Sequence, residues 1–276
     1  MTEHKAISGT TYDTVSVDGA ILATKGLTIA FGGHVAVKDV GLEIQERSFT
    51  SIIGPNGAGK TTLFNLLSGQ LKPSSGSIYF KGRDVTHMPP YVRTRLGMGR
   101  SFQITNVFPN LSVLENVRLA VQSHAGVRYK IFSSLGRYRK LEEEAIRLLE
   151  LVRLADKCYA LAAHLAHGEK RKLEIAMLLA LHAELLLLDE PTAGISVEEV
   201  PAILEVIRAL KQEGNRTIIL IEHKMEMVLD LSDNIAVLFN GSLLASGTPG
   251  NIMNNETVQA AYLGGLYDDA SAVGIG

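Results

Sequence analysis

A glycine-rich run at residues 54–61 limits the folds that this 276-residue chain can adopt. An apolar strand pattern over residues 48–53 precedes the run and a helical pattern over residues 60–68 follows it, which is the setting of a phosphate-binding loop. Glycines let backbone N–H groups turn toward phosphate oxygens, and the positive end of the following helix adds to the attraction. The residues predicted to bind phosphate here are Gly54, Asn56, Gly57, Ala58, Gly59, Lys60, Thr61 and Thr62.

Three side chains of this loop have distinct predicted roles. Lys60 is placed to reach the β- and γ-phosphates of a nucleotide, and the Thr61 hydroxyl is placed to bind Mg²⁺. Thr62 is placed to reach the α-phosphate. An incidental glycine-rich turn is the alternative, and the strand and helix that flank the loop argue against it.

The order of strand and helix patterns predicts an α/β fold. The two kinds of pattern alternate at both ends of the chain, and the four leucines at residues 185–188 are typical of a strand buried on both faces of a parallel sheet. Residues 112–154 and 168–182 are helical in pattern, with a loop expected at residues 126–136. We therefore expect a parallel α/β core that carries a helical subdomain.

Two carboxylates, Asp189 and Glu190, follow the leucine strand directly. The carboxyl end of a strand is where open α/β sheets bind their ligands. Asp189 is predicted to hold Mg²⁺ through water, and Glu190 to polarise the attacking water as a general base. Many strands end in acidic residues, so this pair is informative mainly together with the glycine-rich loop. The two motifs leave small-molecule kinases, GTPases and helicases open.

Three further features bear on the choice among these classes. They are Gln103 after an extended segment, residues 165–169 at the start of a helical pattern, and His223 shortly after the strand pattern at residues 217–221. Each has an ordinary interpretation by itself: a surface glutamine, a simple helix start, and a buried, hydrogen-bonded histidine. Their order relative to the two motifs is what makes them informative.

That order resembles the ABC ATPase family over residues 21–247. The resemblance implies an α/β P-loop NTPase (RecA-like) core with an antiparallel β subdomain and an inserted α-helical subdomain. It implies that the chain binds ATP and Mg²⁺ and hydrolyses the ATP. It makes Gln103 a contact of Mg²⁺ or the attacking water that relays nucleotide state to a membrane partner. It makes His223 the residue that bonds the γ-phosphate and positions Glu190.

The helix start at residues 165–169 corresponds to the signature segment of that family. In a head-to-tail dimer this segment presents its helix N-terminus to the γ-phosphate bound by the other subunit. Phe31 corresponds to an aromatic residue that stacks on adenine, with core packing as the alternative. Two departures are Ala166-His167 in place of Ser-Gly, and Ser196 in place of a common aspartate. The signature residues expected at the phosphate are Ala166, His167, Gly168 and Glu169.

The resemblance also implies a domain organisation and a set of partners. Residues 1–20 are expected as a flexible arm, 21–102 and 183–247 as the ATP-binding core, 103–182 as the helical signature subdomain, and 248–276 as a C-terminal helix and tail. The implied partners are a second copy or a sister ATPase, two transmembrane permease subunits and an extracytoplasmic substrate-binding protein.

Three segments are similar to the ATPases of branched-chain (hydrophobic) amino-acid importers: residues 97–103, the insertion at 121–136 and the ending at 258–264. ATPases of urea and aromatic-acid importers are close alternatives, and a lipid-exporting ATPase is a further one. A soluble, non-transport ABC ATPase is less favoured, because such proteins usually carry two cassettes or a long coiled-coil insertion.

Net charge and hydropathy bear on whether the chain binds nucleic acid or crosses a membrane. A net charge of −2 argues against a broad nucleic-acid-binding surface, and the basic cluster at residues 170–172 is interpreted as a solvated helix face. No apolar secretory segment is visible, and the apolar stretch at 175–188 is shorter than the roughly 20 residues that span a bilayer. We therefore expect other polypeptides to supply any membrane-spanning part. The resemblance to importer ATPases then implies a peripheral protein on the cytoplasmic face of a bacterial-type inner membrane.

Overall fold

The structure is a computed structural model that describes residues 19–101, 107–125 and 135–261, with side chains described from residue 139 in the last range. The strands are β1 (Ala20–Phe31), β2 (His34–Gln45), β3 (Phe49–Ile53), β4 (Ser75–Phe80), β5 (Arg83–Asp84), β6 (Met98–Arg100), β7 (Leu185–Asp189), β8 (Thr217–Ile221), β9 (Asn234–Phe239) and β10 (Ser242–Gly247). The helices are α1 (Lys60–Leu67), α2 (Pro90–Arg95), α3 (Val113–His124), α4 (Leu135–Leu151), α5 (His167–Leu179), α6 (Val200–Glu213), α7 (Met225–Leu231) and α8 (Pro249–Met253).

A six-stranded sheet in the order β10-β9-β3-β8-β7-β6 forms the centre of the fold. Its inner strands pair in parallel, and only β10 runs antiparallel to its neighbour. Every residue of β3, β7 and β8 is buried, as expected for strands covered on both faces. Because these strands are parallel, their carboxyl ends meet at one edge, where ligands of such sheets bind. The predicted α/β class is confirmed.

A second sheet, in the order β2-β1-β4-β5, is entirely antiparallel. Its apolar side chains, such as Leu27 and Ile78, share one core with α1 and one face of the central sheet. The phosphate-binding loop therefore has a packed layer behind it. This is the antiparallel β subdomain that the resemblance implied.

The opposite face of the central sheet packs against α3, α4, α5 and α6 in a second core. Helix α3 begins with a capping box, in which the Ser112 hydroxyl accepts from the Glu115 N–H and the Glu115 carboxylate accepts from the Ser112 N–H.

Two helix starts differ from the predicted ones. Helix α4 begins at Leu135, inside the expected loop 126–136. The helical pattern of residues 197–212 predicts a start at residue 197, whereas α6 begins at Val200. The later start of α6 follows from a turn in which the Glu199 N–H bonds the Ser196 carbonyl.

The ends of the chain are only partly described. Residues 1–18 of the expected arm and residues 262–276 of the expected tail lie outside the described ranges. After α8, residues 256–261 are helical. Among the helices that the structure describes, none has both the length and the apolar character needed to cross a bilayer.

Candidate functional site

The glycine-rich loop joins β3 to α1, and two of its glycines cannot be replaced without a clash. A Cβ on Gly54 would lie 2.2 Å from the Leu238 carbonyl oxygen, and one on Gly59 would lie 2.4 Å from the Ala36 carbonyl oxygen. At Gly57 the same atom would meet nothing within 4 Å. The loop is therefore packed against other backbone at Gly54 and Gly59 and open at Gly57, as a phosphate-binding loop requires. Of the other predicted residues, Asn56 is exposed, Ala58 is buried, and Thr61 and Thr62 are partly buried.

The Lys60 side chain is buried within this loop. Its ammonium group donates to the carbonyl oxygens of Gly54 at 2.7 Å and Pro55 at 3.0 Å. Burial lowers the pKa of Lys60, while the nearby carboxylates of Glu190 and Asp189 act to raise it. The loop lysine and the two acids therefore share one electrostatic environment.

Asp189 ends β7 with no solvent exposure, and Arg100 of β6 is its ionic partner. The Arg100 Nη2 donates to Asp189 Oδ2 at 2.8 Å, and its Nη1 bonds the side chains of Asn65 and Ser68 next to the loop. Burial raises the pKa of Asp189, and the hydrogen bond from Arg100 acts to lower it. Asp189 Oδ1 has no hydrogen-bond partner among the described residues. A buried, unpartnered carboxylate oxygen is uncommon, and it is the type of ligand that Mg²⁺ takes.

Glu190 and His223 meet at the same edge of the sheet. The Glu190 N–H donates to the Ile221 carbonyl at 3.0 Å, which ties the end of β7 to the end of β8. His223 Nε2 then lies 2.9 Å from Glu190 Oε1, and both side chains are partly exposed. A carboxylate oriented by a histidine, within reach of solvent, has the geometry of a general base for water.

The predicted signature segment forms the start of α5, across a cavity from Asp189 and Glu190. The Ala166 N–H is capped by Glu169 at 3.0 Å, and the Gly168 N–H by Glu199 at 3.2 Å. Ser196 also bonds Glu199, at 3.4 Å, so the residue that departs from the family pattern supports this cap. A cavity of about 410 Å³ separates the helix start from the acids; it is lined by His167, Arg171, Asp189, Glu190, Ala193, Gly194 and Ile195.

Known proteins resemble the chain over most of its length. Residues 37–193 match the profile of the family described as ABC transporter, and residues 242–268 match that of the branched-chain amino acid ATP-binding cassette transporter. LivG of Salmonella typhimurium, a high-affinity branched-chain amino acid transport ATP-binding protein, is 41% identical over 251 residues, which cover 88% of this chain and 98% of LivG. The chain belongs to the ABC transporter ATP-binding family. BraF of Pseudomonas aeruginosa, with the same description, is 39% identical over 250 residues, covering 88% of this chain and 98% of BraF.

Solved cassettes share the fold of this cassette. The ADP conformation of MJ1267, an ATP-binding cassette of an ABC transporter, has a TM-score of 0.75 and 28% identity, covering 89% of this chain and 99% of that one. The dimeric post-hydrolysis state of the cassette MJ0796, bound to ADP and Pi, has a TM-score of 0.69 and 25% identity, covering 82% and 98%. The P-loop NTPase fold is confirmed, and the cassette is an ATPase.

Three sequence predictions have different outcomes. Gln103 lies outside the described residues of the cassette, so its role stays a prediction. Phe31 is 47% exposed at the end of β1, so the core-packing alternative is wrong. The interpretation of residues 170–172 as a solvated helix face is wrong for Arg171, which is 8% exposed and bonds backbone carbonyls at the end of β7 and just after it; Lys170 and Lys172 are partly exposed.

Sequence reasoning assigned no role to Arg100, Arg171 or Glu222. Glu222 is buried between two loops, where it accepts from the Thr192 side chain and from the His223 N–H at 2.9 Å. One signal was available for Arg171, since a glutamate three residues on along the same helix is the spacing of an ion pair. Arg100 bonds Asp189, and Glu222 bonds the Thr192 side chain; both contacts join residues distant in sequence, so no local pattern points to them.

Proposed function

We propose that this chain is the ATP-hydrolysing subunit of an importer for branched-chain or other hydrophobic amino acids. The relatives LivG and BraF carry that description, at 41% and 39% identity over nearly their whole length. The C-terminal match at residues 242–268 supports the same class. ATPases of urea or aromatic-acid importers are the nearest alternatives, and a lipid-exporter ATPase is a more distant one.

The observation that carries the hydrolytic role is the 2.9 Å contact between His223 and Glu190 at the mouth of the phosphate-binding loop. Glu190 acts as the general base that accepts a proton from the attacking water. His223 orients that carboxylate and bonds the γ-phosphate. Lys60 and the N-terminus of α1 hold the β- and γ-phosphates, and Phe31 stacks on the adenine.

Mg²⁺ is the metal that the donor set fits. Asp189 would hold it through water, the Thr61 hydroxyl directly, and Gln103 from the segment after β6. The unpartnered, buried Oδ1 of Asp189 supports this assignment. The ion would supply positive charge that neutralises the phosphate oxygens during transfer.

The catalytic assembly is proposed to be a head-to-tail dimer, formed with a second copy or with a sister ATPase. The start of α5, from Ala166 to Glu169, then faces the γ-phosphate held by the other subunit. Ala166 has no side-chain donor, so backbone N–H groups other than those of Ala166 and Gly168, or the His167 ring, make this contact. No phosphate-binding-loop residue lines the 410 Å³ cavity beside His167 in the described ranges, which favours a site completed between subunits.

A groove of about 410 Å³ between α3 and α5 is the proposed docking site for a permease helix. Its walls are mostly apolar, and Phe108 at its rim is 53% exposed. Arg100 and Ser101 line one end, so a helix seated there lies beside the segment that leads to Gln103. We therefore place the chain on the cytoplasmic face of the membrane with two permeases and an extracytoplasmic binding protein.

Transport by the purified complex tests this proposal. The complex is isolated through a tag on this chain from detergent-solubilised membranes and reconstituted in vesicles with ATP on the cassette side. We expect ATP-dependent uptake of labelled leucine once the binding protein is added, and its loss in the Glu190→Gln complex. Uptake of urea or an aromatic acid but not of leucine would overturn the substrate class. Co-purification of ribosomal or DNA-repair proteins without a permease would overturn the transport role.

A further inference from the structure

The buried Arg171 of α5 bonds the backbone of residues 189–191, the segment that carries the proposed base Glu190. The Arg171 Nη2 donates to the carbonyl oxygens of Asp189 and Glu190, each at 3.0 Å, and its Nε donates to the Pro191 carbonyl at 3.3 Å. One planar guanidinium thus bonds three successive carbonyls, a geometry that the single ammonium of lysine cannot reproduce.

The arginine is fixed in turn by Glu174 on the same helix. Arg171 Nη1 lies 2.8 Å from Glu174 Oε2, and the two side chains are 9% and 7% exposed. Buried charges are costly unless they are paired and hydrogen-bonded. The pair with Glu174 and the carbonyl bonds together hold the guanidinium against the backbone of residues 189–191.

Glu190 needs such support because its backbone is strained. Its φ angle is 45°, in the left-handed region that non-glycine residues seldom adopt. Its carbonyl accepts from the Ala193 N–H at 3.0 Å as well as from Arg171. The backbone orientation sets the direction of the Cα–Cβ bond, and therefore where the carboxylate meets His223.

Glu174 also lines the groove between α3 and α5, together with Met177 and Leu178 of the same helix and Leu181 just after it. A continuous set of contacts therefore runs from the groove through Glu174 and Arg171 to the backbone of Glu190. We infer that Arg171 is a positioning residue for the catalytic base, and that Glu174 makes that position sensitive to what fills the groove. This inference rests on the proposed function, in which a permease helix is the occupant.

Two variants of the full chain test the positioning role. Arg171→Lys keeps the charge but not the three carbonyl bonds. The double variant Arg171→Met/Glu174→Met removes both buried charges together, a replacement that often leaves stability unchanged. We expect each to lower kcat by roughly 10- to 100-fold, because small misplacements of a catalytic group have effects of that size. Binding of a fluorescent ATP analogue should stay within about twofold, since the phosphate-binding loop is untouched.

Arg208→Met is the control, because it removes an arginine–carboxylate pair with Asp230 that is about half exposed and joins α6 to α7. It should leave kcat and nucleotide affinity unchanged. A wild-type kcat in Arg171→Lys would overturn the inference, whether or not the double variant folds. Failure of the proposed function gives a different result, namely no ATP hydrolysis by the wild-type chain or full activity in Glu190→Gln.

The link to the groove is tested in the reconstituted complex. Glu174→Gln should reduce the rise in kcat caused by the leucine-loaded binding protein at least about fivefold, while both permeases still co-purify. Full stimulation in this variant would overturn the link. Loss of the permeases would also overturn it, because Glu174 would then be a docking contact rather than a link to the base.

Discussion

At the scale of single residues, the site depends on buried charges that are matched in pairs. Asp189 pairs with Arg100 and Glu174 pairs with Arg171, while the charges of Glu190 and Asp189 act to raise the pKa of the buried Lys60. A buried charge that loses its partner is strongly destabilising, whereas removal of both partners is often tolerated. Replacing one member of such a pair should therefore destabilise the protein, whether or not that residue has a role in the reaction.

Arg100→Met tests this effect on stability, separately from catalysis. It leaves the Asp189 carboxylate buried without its cation, so we expect the free energy of unfolding to fall by about 3–5 kcal/mol. Chemical denaturation followed by circular dichroism measures the change. The double variant Arg100→Met/Asp189→Leu should recover most of the loss, and a double variant as unstable as the single one would contradict the explanation.

At the scale of elements, the sequence predicted those features whose cause is local. The phosphate-binding loop was recognisable because its glycines, strand and helix are contiguous, and β7 because four leucines adjoin two acids. The burial of Arg171 was not predictable, because it depends on how α5 packs against the end of β7. The start of α6 was placed early for a related reason: Ser196 and Glu199 form a turn that reaches across to Gly168.

Helix α1 offers a second test, because its last carbonyls are capped by an arginine from α2. Arg93 is 1% exposed and donates to the carbonyls of Leu66, Leu67, Thr86 and Met88. Burial lowers the pKa of Arg93 to about 10, so the guanidinium remains charged at neutral pH. Arg93→Met should reduce the free energy of unfolding by about 3–5 kcal/mol, since the carbonyls lose their donors. Thermal and urea denaturation would show it.

Arg95 on the same helix provides the control. It is exposed, with its guanidinium near the Tyr91 ring. Arg95→Met should change the free energy of unfolding by less than about 0.5 kcal/mol. Equal losses at the two positions would mean that helix propensity, rather than capping of α1, explains the effect.

At the scale of the whole molecule, the parallel sheet brings together residues that are distant in sequence. The phosphate-binding loop, Asp189-Glu190 and His223 follow three neighbouring strands and so meet at one edge. The signature helix packs against the same edge from the helical side, and its far end lines the groove. The proposed nucleotide site, subunit contact and permease contact thus all lie around one set of strand ends.

The hydrolysis rate of Glu190→Gln, measured beside its nucleotide affinity and its oligomeric state, tests the central claim most directly. Glutamine keeps the shape of the side chain but cannot accept the proton from water. We expect unchanged ATP binding, a rate lower by about 10²- to 10⁴-fold, and an ATP-dependent dimer that elutes early in size-exclusion chromatography. Hydrolysis at the wild-type rate would contradict the assignment of Glu190 as the base.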